Sequence, residues 1–392
     1  MSAGTLNWWQ IVALIGAAQG VIVAMALATK RPRRTPNLLL AGAVLAFACH
    51  LATIIYYSAN LVPRLPHLFG VTQPVPFLFG PLFYLYAVTA SDQGRRLRRS
   101  DLWHALPFVA FLAWGLPVYL LPASQKIALF HAVLDGRLPI QAIAAGPLML
   151  VSGVIYTAVT MLALQRHQRV VAENYSTLDR VNLNWLRGLA LAYAMIWVSA
   201  VALGLAEPAG LSLPFSTDFL IAVGITLVIV GIGYWGLRQP EIFRFATAEH
   251  AIPVGVVAPA TDAAPAPPRY ERSGLAPREA DELKGRLVAL MERERPYRQP
   301  ELTLGELAER LGTTPHRLSE VLNAQLTLSF YDFINGYRVR EVQQRLVGPD
   351  GARYTYLALA LEAGFASKST FNAAFKKLTG LTPSEYRRAE GA

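Results

Sequence analysis

GFASKSTFNAAFKKLTGLTPSEYRR, residues 364 to 388, decides how the last third of this chain is read. Gly364 breaks the preceding pattern, and Ser367 stands where a hydroxyl can cap a new helix. Beyond it Phe371, Phe375 and Leu378 recur at helical spacing and are expected to turn inward, which leaves Lys368, Ser369, Asn372 and Ala373 facing out. Thr382, Pro383 and Glu385 then form a capping box for a terminal turn of helix.

Upstream, YLALALEAGF (356 to 365) reads as a buried helix stopped at Gly364, so the whole is a helix, a turn and a helix. The arrangement occurs a second time in LTLGELAERLGTTPHRLSEVLN (302 to 323). Thr303 and Glu306 make a capping box, and Leu304, Leu307, Ala308 and Leu311 give the buried face. Gly312 and Thr313 turn the chain, Thr314 caps the next helix, and Pro315 takes its first position. Leu318, Val321 and Leu322 pack inward, leaving His316, Arg317, Ser319 and Glu320 outside. SFYDFINGYRVREVQQRLV (329 to 347) joins the copies as one helix with an apolar stripe of Phe330, Phe333, Ile334, Tyr337 and Val342. EADELKGRLVALMERERPY (279 to 297) precedes them as an amphipathic helix burying Leu283, Leu287, Leu290 and Met291. Two helix-turn-helix units on one rigid helix would place two outward helices on one face, spaced for successive major grooves of duplex DNA.

Residues 270 to 388 resemble the DNA-binding domain of AraC/XylS-type bacterial transcription regulators, through YERSGL (270 to 275), LTLGELAERL (302 to 311), LSEVLN (318 to 323), FYDFINGYRV (330 to 339) and LALEAGFASKSTFNAAFKKLTGLTPSEYR (359 to 387). The YERSGL entry to the domain resembles the subgroup in which a polytopic membrane region precedes it. The resemblance implies that His316, Ser319 and Glu320 of the first reading helix, and Lys368, Ser369, Asn372 and Thr370 of the second, contact base edges. The capping residues Thr314 and Ser367, with Arg317, complete the expected DNA-facing set. Lys376 and Lys377 suit phosphate contacts, which position without specifying. Asn372 suits adenine and Glu320 cytosine. Ala373 departs from the family, which usually has Arg there, so sequence discrimination at that step is expected to be weaker. Residues 270 to 392 hold 18 Lys and Arg against 16 Asp and Glu. That balance predicts modest non-specific affinity and a need for a homodimer or high local concentration.

The preceding two thirds are a different material. Of all 392 residues 53% are hydrophobic and only 16% charged, and the mean hydropathy is +0.33. A soluble globular chain carries about a quarter charged residues. Seven apolar runs of roughly 20 residues, the length that crosses about 30 Å of hydrocarbon, extend approximately over Trp8 to Ala28, Leu38 to Tyr57, Phe69 to Thr89, Leu102 to Leu121, Ile140 to Leu164, Trp185 to Ala206 and Phe219 to Leu237. The first is not read as a signal peptide, because MSAGTLNWWQ puts no basic residue ahead of it. The fold class expected is therefore all-α, a seven-helix transmembrane bundle followed by an all-helical double helix-turn-helix domain. KRPRR (30 to 34), RRLRR (95 to 99) and RHQR (166 to 169) with Arg180 put eleven Lys and Arg on one side of the membrane. The alternate connections hold three: Arg64, Lys126 and Arg137. Leaving aside Arg187 at the start of the sixth run, the basic side is cytoplasmic. The N-terminus is then outside, and everything after Leu237 faces the cytoplasm of a bacterial inner membrane. Much of the +10 net charge is this orientation signal.

Polar residues in the spans are sensing candidates, because they are costly in lipid. Gln19, His50 and Gln73 carry that expectation, with Gln141, Glu207 and Asp218 as further polar sites. The prolines of TQPVPFLFGP (72 to 81) break the third run and free carbonyls for neighbours or a cavity. The single cysteine, Cys49, excludes an intramolecular disulfide. The domain organisation is a membrane domain over 1 to 240, an Ala/Pro-rich linker over 241 to 269 with a reach of about 30 Å, and the DNA-binding domain over 270 to 392. No HExxH, GxSxG, phosphate-cradling loop or nucleotide-binding segment is present, so no enzyme, cofactor or metal is expected. The expectation is a membrane-tethered regulator with promoter DNA, the lipid bilayer, an unknown small-molecule or envelope signal, and RNA polymerase as partners. The alternatives are a membrane half that only anchors a proteolytically released regulator, and a transporter or membrane enzyme with a DNA-binding tail.

Overall fold

The computed structural model describes residues 7–31, 35–91, 95–137, 139–178, 183–206, 216–238, 276–348 and 353–390. The expected linker (241 to 269), the YERSGL stretch, Arg180 and Glu207 lie outside the described residues. The fold is all-α, with a single isolated β-bridge among the described residues. The chain forms two units, Met1–Arg166 with Leu183–Gln239, and His167–Asn182 with Pro240–Ala392.

In the first unit the apolar runs become α1 (Trp8–Thr29), α2 (Thr35–Ser58), α3 (Phe79–Ser91), α4 (Leu106–Tyr119), α5 (Ala123–Leu134), α6 (Ile140–Asn174), α7 (Asn184–Ala206) and α8 (Thr217–Arg238). Among the described residues six helical stretches are long and apolar enough to cross a membrane: α1, α2, Arg99–Tyr119, α6, α7 and α8. The remaining run, 69 to 89, is a 3-10 turn at Val75–Leu78 leading into α3. Pro74 and Pro76 lack the amides that a continuous helix would need there. Two connections also carry more structure than their polarity suggests. Residues 123 to 134 are helical as α5, and RHQRVVAEN continues α6 ten residues past Leu164, because it holds no Gly or Pro to stop it.

Small residues let these helices approach closely. Gly16 and Gly20 lie one turn apart on α1; a Cβ at Gly20 would come 2.9 Å from that of Ala48 on α2, and one at Gly16 would press on Thr226 of α8. Lys30 then donates to the Gly236 and Leu237 carbonyls at 3.3 and 3.2 Å, closing the C-terminal end of α8 with a cation.

The second unit is built from α9 (Pro277–Glu294), α10 (Leu304–Arg310), α11 (Pro315–Glu320), α12 (Phe330–Val347), α13 (Tyr356–Glu362), α14 (Lys368–Thr379) and α15 (Pro383–Glu390). Pro296 ends α9 three residues sooner than the periodicity predicts, with Arg295 in the left-handed region at φ 49°. Leu283, Leu287, Leu307, Leu318, Leu322, Phe330 and Ile334 share one core, and Val339, Val342, Leu359, Phe365, Phe371 and Phe375 share another. α12 gives its first turns to one core and its last turns to the other. It is the beam on which both helix-turn-helix units are mounted.

Candidate functional site

Each outward helix of the second unit starts on a side-chain cap. Thr303 accepts from the Glu306 amide at 3.2 Å while Glu306 accepts from the Thr303 amide at 2.9 Å, so α10 starts on a closed capping box. Gly312 at φ 62° turns the chain, and the Thr314 hydroxyl accepts from the Arg317 amide at 3.3 Å to start α11. The second helix-turn-helix repeats this. Gly364 turns at φ 99°, Ser367 accepts from the Thr370 amide at 3.2 Å, and α14 runs to Gly380. Local chemistry therefore fixes where both α11 and α14 begin.

The surface these helices present follows the expected pattern with two corrections. Thr314, His316, Arg317, Lys368, Ser369, Asn372, Lys376 and Lys377 are exposed, and Ser319, Glu320 and Ser367 are half-buried. Thr370 is the exception: it is 6% exposed, and its hydroxyl takes a hydrogen bond from Ser367 at 3.2 Å. Burial takes Thr370 off the outward face of α14. Leu378, expected inside, is 47% exposed because it lies beyond the core that Phe371 and Phe375 fill. Lys377 is engaged locally, with its ammonium 2.7 Å from the Asp332 carboxylate in the first turn of α12. Lys376 and Lys368 carry the charge that α14 presents outward.

Periodicity missed the polar joint inside α12. Asn335 and Arg338 are fully buried and Glu341 nearly so, in the interval between the two cores. The Arg338 guanidinium donates to the Tyr297 and Gln299 carbonyls at 2.7 Å each and to Asn335 Oδ1 at 3.2 Å, and lies 5.8 Å from the Phe365 ring centroid. Burial lowers its pKa to about 9, which still leaves it protonated at neutral pH. Glu341 holds Arg298 through two bonds of 2.6 and 3.0 Å. The 297–300 turn is thereby fixed against α12, with Gly364 packed closely on Tyr297 and Arg298.

The first unit contains a cavity of about 410 Å³, lined among others by Tyr57, Gln73, Tyr119, Phe130, Gln141 and Asp218. Its size and its apolar wall with a few polar groups match small-molecule sites in general. Of the three sensing candidates Gln73 lines it; Gln19 is half-buried on α1, and His50 packs edge-on against Phe79 at 5.7 Å. The aromatic lining comes from α2, α4, α5 and Phe69 between α2 and α3, and carries no local sequence signal.

Comparison with known proteins bears on the second unit alone. Residues 307–389 match the family described as a helix-turn-helix domain, and the chain carries such a domain at its C-terminal end, as the AraC-type resemblance implies. The chain is 32% identical over 90 residues to the uncharacterized HTH-type transcriptional regulator YtdP of Bacillus subtilis (strain 168), a match covering 23% of this chain and 11% of that protein. It is 33% identical over 87 residues to uncharacterized HTH-type transcriptional regulators of Staphylococcus aureus strains COL and N315, covering 22% of this chain and 11% of each. The match thus spans about a tenth of the length of these relatives. No solved structure matches the chain.

Proposed function

We propose that this chain is a membrane-tethered, sequence-specific DNA-binding transcription regulator of the bacterial inner membrane, and not an enzyme. The observation that carries the reading is the pair of capped helix-turn-helix units mounted on α12, in a chain whose other unit contains, among the described residues, six helical stretches of span length. Residues 1 to 240 are the membrane domain with its N-terminus outside, 241 to 269 the linker, and 270 to 392 the cytoplasmic reader. His316, Arg317, Ser319 and Glu320 of α11 and Lys368, Ser369 and Asn372 of α14 meet the major groove, with Lys376 on phosphate. The near-neutral balance of the reader favours a homodimer on paired sites, where a second copy and the membrane supply local concentration. Promoter-bound copies then meet RNA polymerase.

Sensing belongs to the cavity in the first unit, with Gln73 as its hydrogen-bonding group and an apolar small molecule with polar substituents as its occupant. Such a ligand acts only through different affinity for two arrangements of the protein.

Asn372→Ala combined with Lys368→Ala in the full-length chain tests the reader. One good base contact discriminates by about 1–3 kcal/mol, so the double variant is expected to lose roughly tenfold or more of its chromatin occupancy at specific sites. Lys376→Ala lowers occupancy evenly across sequences. An unchanged set of sites at unchanged occupancy in the double variant rejects α14 as a reading helix.

A further inference from the structure

The end of α6 from His167 and the connection after it belong to the second unit, although the earlier turns of α6 and the whole of α7 belong to the first. Tyr175 pairs as an antiparallel bridge with Thr303. The Ser176 amide and hydroxyl both donate to the Leu302 carbonyl, at 3.3 and 2.7 Å. The Ser176 carbonyl accepts from Asn335 Nδ2 at 3.1 Å and from Arg338 at 3.2 Å, and the Ser176 hydroxyl accepts from Arg338 at 3.3 Å. Thr177 donates to the Pro300 carbonyl at 2.5 Å. Ser176 is fully buried. This is a short segment at the end of α6, joined by one bridge to the 300–303 stretch and gripped by side chains of α12, so that main-chain bonds hold it and one buried side chain fixes its place.

Its seat is the joint between the two helix-turn-helix cores. Arg338 holds Ser176 and also holds the 297–300 turn, and Phe365 of the second core lies beside the same guanidinium. Anything that removes Ser176 takes acceptors away from Arg338 and Asn335 at the point where α12 passes from one core to the other. Because the peptide is on the same chain, seating is intramolecular, and a few hydrogen bonds suffice at high effective concentration. The peptide is also continuous with α6, whose earlier turns carry Gln141 at the cavity wall.

We propose that residues 175–177 are a docking peptide through which the membrane unit sets the relative orientation of the reading helices α11 and α14. Seated, it stiffens the joint into the arrangement that engages both half-grooves; withdrawn, it lets the two cores move against each other. This rests on the reading of the chain as a tethered regulator.

The test uses full-length protein in lipid nanodiscs with Cys49→Ala, Tyr175→Cys and Thr303→Cys. Residues opposed in an antiparallel pair have Cα atoms about 4.5–5.5 Å apart, within the range a disulfide spans. Oxidised and reduced forms of this one variant are incubated with sheared genomic DNA of the host, and captured fragments are sequenced. In parallel, Ser176→Trp, which the closed seat cannot hold, is compared with wild type. The expected result is ready disulfide formation, discrete fragments captured by the oxidised form, and roughly tenfold or greater loss of capture in Ser176→Trp, in line with ordinary coupling between sites. Failure of the disulfide to form overturns the seating. Equal capture by Ser176→Trp and wild type overturns the coupling while leaving the tethered regulator intact. If no form captures discrete fragments, the regulator reading fails and this inference fails with it.

Discussion

Replacing Arg338 with methionine is expected to loosen the second unit strongly. Methionine fills a similar volume, but the buried Tyr297 carbonyl loses its donor, the part-buried Gln299 carbonyl loses one too, and the Ser176 carbonyl is left with Asn335 alone. Each buried acceptor left unsatisfied costs about 1–3 kcal/mol, so with one carbonyl fully orphaned and two weakened the net loss is about 2–4 kcal/mol. Hydrogen exchange of the full-length chain in nanodiscs reads this directly. At about 1.4 kcal/mol per tenfold, α12 amide protection is expected to fall roughly 30-fold or more, while α1 and α2 are unaffected. Unchanged protection of α12 would show that the carbonyls find other partners and that Arg338 is dispensable to the joint.

Gly364→Ala is the second large effect, and Gly380→Ala supplies its control. Both glycines sit at positive φ, 99° and 77°. A Cβ at Gly380 meets nothing within 4 Å, so alanine there costs only its backbone strain, about 1 kcal/mol. At Gly364 the added carbon would run into the Tyr297 carbonyl and come 2.8 Å from the Arg298 backbone. Backbone cannot step aside as a side-chain tip can, so strain and overpacking combine to about 3 kcal/mol or more. Thermal unfolding of the full-length chain, followed by protease sensitivity of the second unit, is expected to rank wild type above Gly380→Ala and both well above Gly364→Ala. Equal sensitivity of the two variants would mean that the turn at 364 is not tightly packed on the 297–300 segment.

Much of this reader is legible in the amino-acid order because its boundaries are local. A hydroxyl at 303, 314 or 367 and a glycine at 312 or 364 act within three or four residues, and the structure places caps and turns there. Leu378 and Thr370 mark where periodicity alone falls short. It assigns a side of the helix but does not know where the core ends, so it sends an exposed leucine inward and a buried threonine outward. The polar joint was illegible for a different reason. Arg338 and Asn335 look like surface residues on an amphipathic helix, and their partner Ser176 lies about 160 residues away in a connection that reads as merely basic. The cavity behaves similarly. Gln73 stands out because prolines break its segment, but the aromatic wall is assembled from separate helices and leaves no spacing to detect. In the apolar unit, span length and charge asymmetry are collective properties and therefore readable, whereas the 3-10 turn that shortens the 69 to 89 run depends on which proline-freed carbonyls find partners.

Chromatin occupancy is the most direct measurement of regulation from the membrane. Full-length chain whose 241 to 269 segment is replaced by a cleavage-resistant Gly/Ser linker is compared with the 270 to 392 fragment in the same cells, with membrane fractions checked for intact protein. Tethered regulation predicts discrete sites bound by the intact, membrane-held chain. Sites bound by the fragment alone, with none for the intact chain, would contradict it.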